Sequence, residues 1–348
     1  MGSLFDGIGI FPLAAIHHGI TPVWASEIDK NAISITKKHF PEMKHLGDIT
    51  KIDVKKIEPV DIITFGSPCQ NLSLIGDRTG INGVKSSLFF EAIRIINEMR
   101  CYTNGLYPTF IVWENVAGSL VSGARNDFRT ILEAFCGCKL PMPNTRWANA
   151  GMVRGKELEL CWRVLDAQYF GTPMLLQRRK RVFIVCDFGK RSAHKVLYKP
   201  CCSKEDIKTF KKGGCNHPRT DKETAVKAGG NFLNVRAFEE RRMRTGAKRK
   251  KPSIFLKGLG EENKPFPTLL AGNPAMIACW YEKNEDDGCI RYLTPKECER
   301  LMGFPDDYTK YSYTGEIIKD RARLKAIGNS IALPHTEYIM SGIKDILK

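Results

Sequence analysis

Between residues 1 and 190, short apolar runs alternate with stretches of helical period, and each run stops at a glycine, a carboxylate or a cysteine. Parallel strands need a crossover between them, and the crossover is usually a helix, so this rhythm specifies an α/β fold with a largely parallel sheet. Open sheets of this kind place their chemistry just outside the carboxyl ends of the strands. The run that constrains the chain most is 60–65, which is β-branched and reads as a buried strand. It closes on Gly66-Ser67-Pro68 and presents Cys69. Pro68 fixes φ ahead of the cysteine and removes a donor, so the turn is stiff. Small polar residues follow, up to Gly76, Gly80 and Gly83. A stiffly held thiol under a glycine-bearing loop points to a nucleophile with a lid. The plain alternative is a buried strand-end cysteine, a common state of the free thiol.

The other strand ends carry a second pattern. Ser3-Leu4-Phe5 leads into Asp6-Gly7-Ile8-Gly9, and two glycines between a strand and a helix let the backbone approach a ligand. A helix over 11–18 should end at Gly19. The next run, 23–26, ends in Glu27-Ile28-Asp29, with Glu27 placed 20 residues after Gly7. That spacing brings an acid to ribose hydroxyls. A third strand over 45–49 contains Asp48. Glycines, Glu27 and Asp48 at three strand ends describe a site for an adenosine-bearing ligand, and no P-loop Lys-Ser/Thr is present. A fifth strand over 109–113 ends in Glu114-Asn115-Val116.

Helices are expected over 87–100 and around Phe128, Ile131, Leu132 and Phe135. The span 136–156 has no clear period and reads as a long surface connection, while Trp162, Leu165 and Tyr169 fit a short helix. Arg178-Arg179-Lys180-Arg181 precedes a strand over 182–186, and alternation would send Arg179 and Arg181 to one face. Beyond 188 the rhythm stops, and 190–290 is rich in Lys, Gly and polar groups. Thr294-Pro295-Lys296-Glu297 is a capping box with proline at the first helical position, and that helix should stop at Gly303. Gly328-Asn329-Ser330 should open a terminal helix through about residue 346.

The net charge of +16 over 348 residues indicates a polyanionic partner, most simply nucleic acid. Within 236–251, eight Lys or Arg stand against two Glu. Of the twelve cysteines, only Cys136-Gly137-Cys138 and Cys201-Cys202 with Cys215 and His217 cluster, and neither group has zinc-finger spacing. No metal is expected, and reduced thiols in a cytoplasmic protein are. No apolar run is long enough to span a membrane, and no signal-peptide pattern opens the sequence.

Taken in order, Ser3-Leu4-Phe5-Asp6-Gly7-Ile8-Gly9, Glu27, Gly47-Asp48-Ile49, Gly66-Ser67-Pro68-Cys69-Gln70, Glu114-Asn115-Val116, Gln177-x-Arg179-x-Arg181, Arg291-x-Leu293-Thr294-Pro295-x-Glu297-Cys298 and Gly328-Asn329-Ser330 closely resemble the DNA (cytosine-5)-methyltransferase family of bacteria and phages. The matches cover nearly the whole chain except 190–290, where the family keeps its variable target-recognition region. The resemblance implies a doubly wound Rossmann-like methyltransferase sheet and a smaller, irregular domain. The catalytic and donor-binding domain would comprise 1–189 and 326–348, and the target-recognition domain 190–325. It also implies S-adenosylmethionine as methyl donor, held by Phe5, Gly7, Gly9, Glu27, Ile28, Asp48, Ile49, Leu88, Asn329 and Ser330. Cys69 would be the nucleophile and Glu114 the proton donor to the ring, with Arg179 and Arg181 bonding the base and orienting Glu114. The loop from Asn71 to Lys85 would close over a flipped base, with Ser73 on a phosphate. The partner would be double-stranded DNA, bound by a monomer in a bacterial or phage-infected cell, in restriction-modification or alone.

The sequence departs from the family pattern in four places, one of them the 136–156 span, which is longer than usual. Ser3 stands where an acid is frequent, Ile10 where glycine is frequent, and Met174-Leu175-Leu176 separates Pro173 from Gln177. The alternatives are an RNA cytosine-5 methyltransferase and a catalytically silent DNA-binding protein. The size of the basic region argues against the first, and the intact Cys69, Glu114 and Arg179 set against the second.

Overall fold

The structure, a computed structural model, describes residues 1–67, 87–171, 175, 177–199, 234–242, 254–258, 265–271, 275–281 and 284–348. Cys69, the loop from Asn71 to Lys85, and Arg244 lie outside the described residues. The chain divides into two compact units: Met1–Leu165 with Lys180–Pro200 and Thr336–Lys348, and Asp166–Arg179 with Cys201–His335.

In the first unit the described strands form an eight-stranded sheet in the order β3-β2-β1-β4-β5-β8-β7-β6. These are β1 (Gly2–Leu4), β2 (Trp24–Ser26), β3 (Lys44–His45), β4 (Ile62–Phe65), β5 (Phe110–Val116), β6 (Ala150–Arg154), β7 (Glu159–Asp166) and β8 (Lys180–Asp187). From β3 to β5 every pairing is parallel, whereas β8 on β5 and β6 on β7 are antiparallel. The strands β1, β2, β4 and β5 are buried almost throughout, as strands covered on both faces are. Helices α1 (Ile10–His17), α2 (Lys30–His39), α3 (Ser87–Tyr102) and α4 (Asn126–Cys136) make the crossovers and cover the faces. On one face Phe89, Ile96 and Met99 of α3 and Phe128, Ile131 and Phe135 of α4 join Leu4, Phe65, Trp113 and Ile184 in one core cluster. Ala25 packs with Phe40 and Met43 in a separate cluster. Asp29 caps α2 by accepting from Asn31 N and Ala32 N, and Lys37, Lys38 and His39 complement its carboxyl end. The short α5 (Ala193–Leu197) and the terminal α8 (Leu333–Leu347) complete the list. No described helix is long and apolar enough to cross a membrane.

Three sequence expectations are corrected here. The 136–156 span is not all connection, since 150–154 forms β6 and hairpins onto β7. Trp162 and Leu165 lie in β7 and not in a helix. Their helical spacing was accidental. Leu158, Leu160 and Trp162 alternate into the core cluster while Cys161 is buried on the other side, so the period is 2. Trp147, Phe128 and Trp162 meet edge to face, which anchors the segment between α4 and β6. Finally, Gly328-Asn329 ends a helix and does not open one.

The second unit has its own four-stranded antiparallel sheet, β9 (Asn234–Arg242), β10 (Ile254–Gly258), β11 (Ala275–Tyr281) and β12 (Asn284–Tyr292), in the order β10-β9-β11-β12. This is more regular than the lack of period implied. Helix α6 (Pro295–Leu301) carries the capping box, with Thr294 and Glu297 bonded reciprocally, and Gly303 turns the chain at φ 77°. Helix α7 (Asp320–Asn329) docks on it through the buried pair Arg323–Glu299, whose carboxylate also accepts from Thr309.

Segment 177–179 belongs to this unit by its hydrogen bonds. Arg178 N donates to Phe266 O, Arg179 N to Asp166 Oδ1, and Ala167 N to Arg179 O. The Arg179 guanidinium is buried and donates to the carbonyls of Leu269 (2.9 Å), Gly328 (2.9 Å) and Ser330 (2.5 Å). One side chain therefore staples the end of α7 to the 265–271 segment. Arg179→Ala strips the donor from these carbonyls, each costing about 1–3 kcal/mol if left unpaired. We expect urea unfolding to show a loss of at least about 3 kcal/mol, partly restored by Arg179→Lys. A loss below about 1 kcal/mol would show that water replaces the guanidinium.

Candidate active site

The first unit gathers polar groups at the carboxyl ends of β1 to β5. Phe5 takes φ 52° and Gly7 φ 58°, so the chain turns sharply out of β1. Gly7 N donates to Glu27 Oε2 at 2.8 Å, which ties that turn to the end of β2. Glu27 Oε1 accepts from Ile28 N (2.7 Å) and Asp29 N (2.9 Å), so both carboxylate oxygens are fixed in direction. Ser26 Oγ donates to Gly47 O (2.7 Å) and draws in the end of β3. Asp48 accepts from Thr50 N and Thr50 Oγ1, and those bonds hold its carboxyl below the usual range.

Two of these turns are open to their surroundings. A Cβ built at Gly7 or at Gly47 would meet nothing within 4 Å. Ile28 is 73% exposed beside Glu27, an apolar surface suited to a flat ring. The Oδ2 of Asp6 is enclosed and has no hydrogen-bond partner among the described residues. Open space beside positive-φ glycines, an orphaned carboxylate oxygen and two oriented acids fit an adenosine-bearing cation. Gly9 differs, because a Cβ there would strike the Phe40 ring at 2.6 Å, so its bareness serves the packing of α1 on α2. Ile49 is buried in the core, and Leu88 packs half-buried against it.

The end of β4 is fixed from β5. Trp113 Nε1 donates to Ser67 Oγ (3.1 Å) and Asn115 Nδ2 to Ser67 O (3.1 Å). Glu114 lies inside β5 and not beyond it, opposite Phe183 of β8. Its carboxylate rests against Gly66, where an added Cβ would stand 3.1 Å from Oε2. Arg181 Nε meets Glu114 Oε1 at 2.9 Å, with the two side chains 13% and 11% exposed. The structure thus brings Glu114 and Arg181 together three residues before Cys69 is reached. Arg179, two residues from Arg181, is spent on carbonyls in the second unit, which also contains the exposed Asn329 and the half-buried Ser330. Gly66, Ser67, Trp113 and Asp6 carry site geometry that no spacing rule assigned to them.

Comparison with known proteins agrees with this geometry. Residues 1–345 match the family profile described as C-5 cytosine-specific DNA methylase. The chain is 27% identical to the type II methyltransferase M.HhaI of Haemophilus parahaemolyticus, over 98% of this chain and 92% of that protein. It is 28% identical to M1.ScrFI of Lactococcus lactis subsp. cremoris, over 100% and 78%. A protein of Escherichia phage P1 named as a DNA N-6-adenine-methyltransferase is 26% identical over 97% of this chain, which spans 60% of that longer protein. In fold, the chain resembles the S. pombe Dnmt2 methyltransferase structure, with a TM-score of 0.57, 18% identity, and coverage of 100% of this chain and 98% of that one. With its mixed α/β sheet and its whole-length profile match, the chain belongs to the C-5 cytosine-specific DNA methylase family, enzymes that methylate cytosine in DNA.

Proposed function

We propose that this protein methylates carbon 5 of cytosine within a specific double-stranded DNA sequence, through a covalent thiolate adduct on a flipped base. The observation that carries this reading is the enclosed Glu114–Arg181 pair, with Glu114 against Gly66, three residues before Cys69 in the sequence. Carbon 5 of cytosine is a poor nucleophile. S-adenosylmethionine, bound along Phe5, Gly7, Glu27, Ile28, Asp48 and Ile49 with Gly9, Leu88, Asn329 and Ser330 in support, supplies an electrophilic methyl group.

The protein supplies the activation. The Cys69 thiolate forms a bond to carbon 6 and makes the ring enamine-like. In its protonated form Glu114 gives a proton to N3, which offsets the charge pushed onto the ring, and Arg181 stabilises the carboxylate left behind. Arg181 holds Glu114 in place and faces the base carbonyl. Within the second unit, Arg179 fixes the Gly328–Ser330 backbone. Once carbon 5 carries the methyl, a base such as water removes its proton, the ring double bond re-forms, and Cys69 leaves as thiolate. A stacked base cannot reach such a pocket, so flipping is required, with the loop from Asn71 to Lys85 closing behind it. An adenine N6 substrate, as named for the phage P1 relative, is an exocyclic amine. It would use neither a thiolate nor a ring proton donor.

The domain of 190–325 would position and read the duplex. Its strand β9 opens the basic stretch, with Arg241 and Arg242 paired to Phe255 and Ile254 of β10. Contacts of lysine and arginine with phosphates position a duplex, while base-edge contacts specify it.

Three outcomes test this. Cys69→Ser should abolish transfer of tritiated methyl to DNA while donor affinity stays near wild type. The wild-type protein should also form a lasting adduct with DNA containing 5-fluorocytosine, because fluorine cannot leave as a proton. Activity retained in the serine variant would sink the mechanism. Arg181→Ala leaves a buried carboxylate without its cation and should slow transfer by about 10²–10⁴-fold, the range of lost acid catalysis. An unchanged single-turnover rate would remove the pair from the chemistry. Neutralising Arg241, Arg242 and Arg244 should weaken cognate and non-cognate DNA about equally. The slope of log affinity against log salt should flatten by up to about 0.9 for each DNA phosphate that is no longer neutralised. An unchanged slope would place the DNA face elsewhere.

A further inference from the structure

The turn that ends α4 holds two thiols against each other. Cys136 is the last residue of the helix, and Gly137 follows at φ 67° with its N–H donating to Glu133 O at 2.9 Å. A Cβ at Gly137 would meet nothing within 4 Å, so the glycine serves its left-handed backbone and not close packing. That backbone folds Cys138 back over Cys136. The Cys138 thiol donates to Cys136 Sγ at 3.4 Å, and the Cys136 thiol donates to Cys138 O at 3.6 Å. No other thiol–thiol hydrogen bond occurs among the described residues, where Cys161, Cys186 and Cys298 are buried and Cys101 is exposed.

Both ends of the turn are held. Glu133 accepts from Leu140 N at 2.9 Å and from Lys139 Nζ at 3.2 Å. On the helix side, the Phe135 ring lies 6.1 Å from that of Phe65 and 5.8 Å from that of Phe89, within the core. Bonded sulfurs stand about 2.05 Å apart, so side-chain torsions have only about 1.4 Å to cover. The two thiols are not equivalent. Cys138 is exposed and Cys136 half-buried. Burial, with the Cys138 thiol beside it, pushes the Cys136 thiol up. Cys138 therefore meets an outside reagent first, with Cys136 behind it.

We propose that Cys136 and Cys138 form a reversible redox pair, closed to a disulfide by exchange with a low-molecular-weight disulfide. The Cys138 thiolate attacks one sulfur of that disulfide, whose S–S bond breaks. One small thiolate leaves, and a mixed disulfide stands on Cys138. Cys136 then gives its proton to solvent and attacks Cys138 Sγ, which forms the Cys136–Cys138 bond and expels the second small thiolate. The protein loses two electrons and two protons, and the small disulfide is reduced to two thiols. In a reducing pool the pair rests open. An accessible thiol poised beside a resolving one is the arrangement of redox-sensing cysteines. The pair uses none of the residues assigned to methyl transfer.

The test uses the whole folded protein in glutathione buffers with a rising share of glutathione disulfide. Samples are quenched with N-ethylmaleimide and digested with trypsin. Cleavage after Arg129 and Lys139 leaves both cysteines on one peptide, 130–139. That peptide should lose both alkylation sites and two hydrogens, and dithiothreitol should restore it. Half-closure should need at least about ten-fold less glutathione disulfide than half-modification of Cys101, because the second step is intramolecular. In Cys136→Ser, Cys138 should instead accumulate as the glutathione mixed disulfide, whereas in Cys138→Ser, Cys136 should stay a thiol. A wild-type peptide that keeps both thiols while Cys101 is already modified overturns the pair. A lasting glutathione adduct on wild-type Cys138 overturns the closure, and an adduct on Cys136 in Cys138→Ser overturns the order of attack.

Discussion

A carboxylate enclosed at the centre of a sheet persists only with a cation and good geometry, since desolvation otherwise forces it neutral or out. Glu114 meets that condition through Arg181, which arrives on the neighbouring antiparallel strand two positions beyond its register partner: Val116 stands opposite Arg181, and Glu114 opposite Phe183. The antiparallel pairing of β8 on β5 is therefore not incidental to the site. A parallel strand would carry its preceding cations to the far end of the sheet. The run of cations ahead of β8 is placed where one of them can neutralise the acid on β5.

The same logic recurs along the other strand ends. Glu27 is held by the amide of Gly7, Asp48 by Thr50, and the turn after β4 by Trp113 and Asn115. Each polar group at the rim is fixed by a neighbour from an adjacent strand or by its own turn. Rigid positioning is what a methyl transfer needs, because effective molarity is lost steeply with misplacement. Asp6 stands at the same rim, with Oδ1 accepting from Ser3 Oγ and no partner for Oδ2 among the described residues.

Much of the site was legible without coordinates. Apolar runs that give way to Glu27, Asp48 and Glu114 follow from a simple constraint: strands buried on both faces carry their charges toward the carboxyl end, where a partner or solvent can meet them. The capping box at Thr294 was equally plain, because it is a local hydrogen-bond pattern among four residues. Local periodicity failed where the partner was distant. Trp162 and Leu165 sit at helical spacing, but what shapes them is pairing with 150–154 and packing on Phe128 and Trp147.

The sequence by itself determined the α/β class, the order of the site residues and the family, because those depend on composition and motif order along one chain. Tertiary structure alone decided how Arg179 and Arg181 divide their work. Alternation places them on one face, yet Arg181 enters the sheet beside Glu114, while Arg179 is drawn into the second unit by the carbonyls of Leu269, Gly328 and Ser330. Those carbonyls come from 90 to 151 residues away. No rule of local spacing sees them. The energy of satisfying buried carbonyls is a property of the folded neighbourhood, and it overrides the pleat.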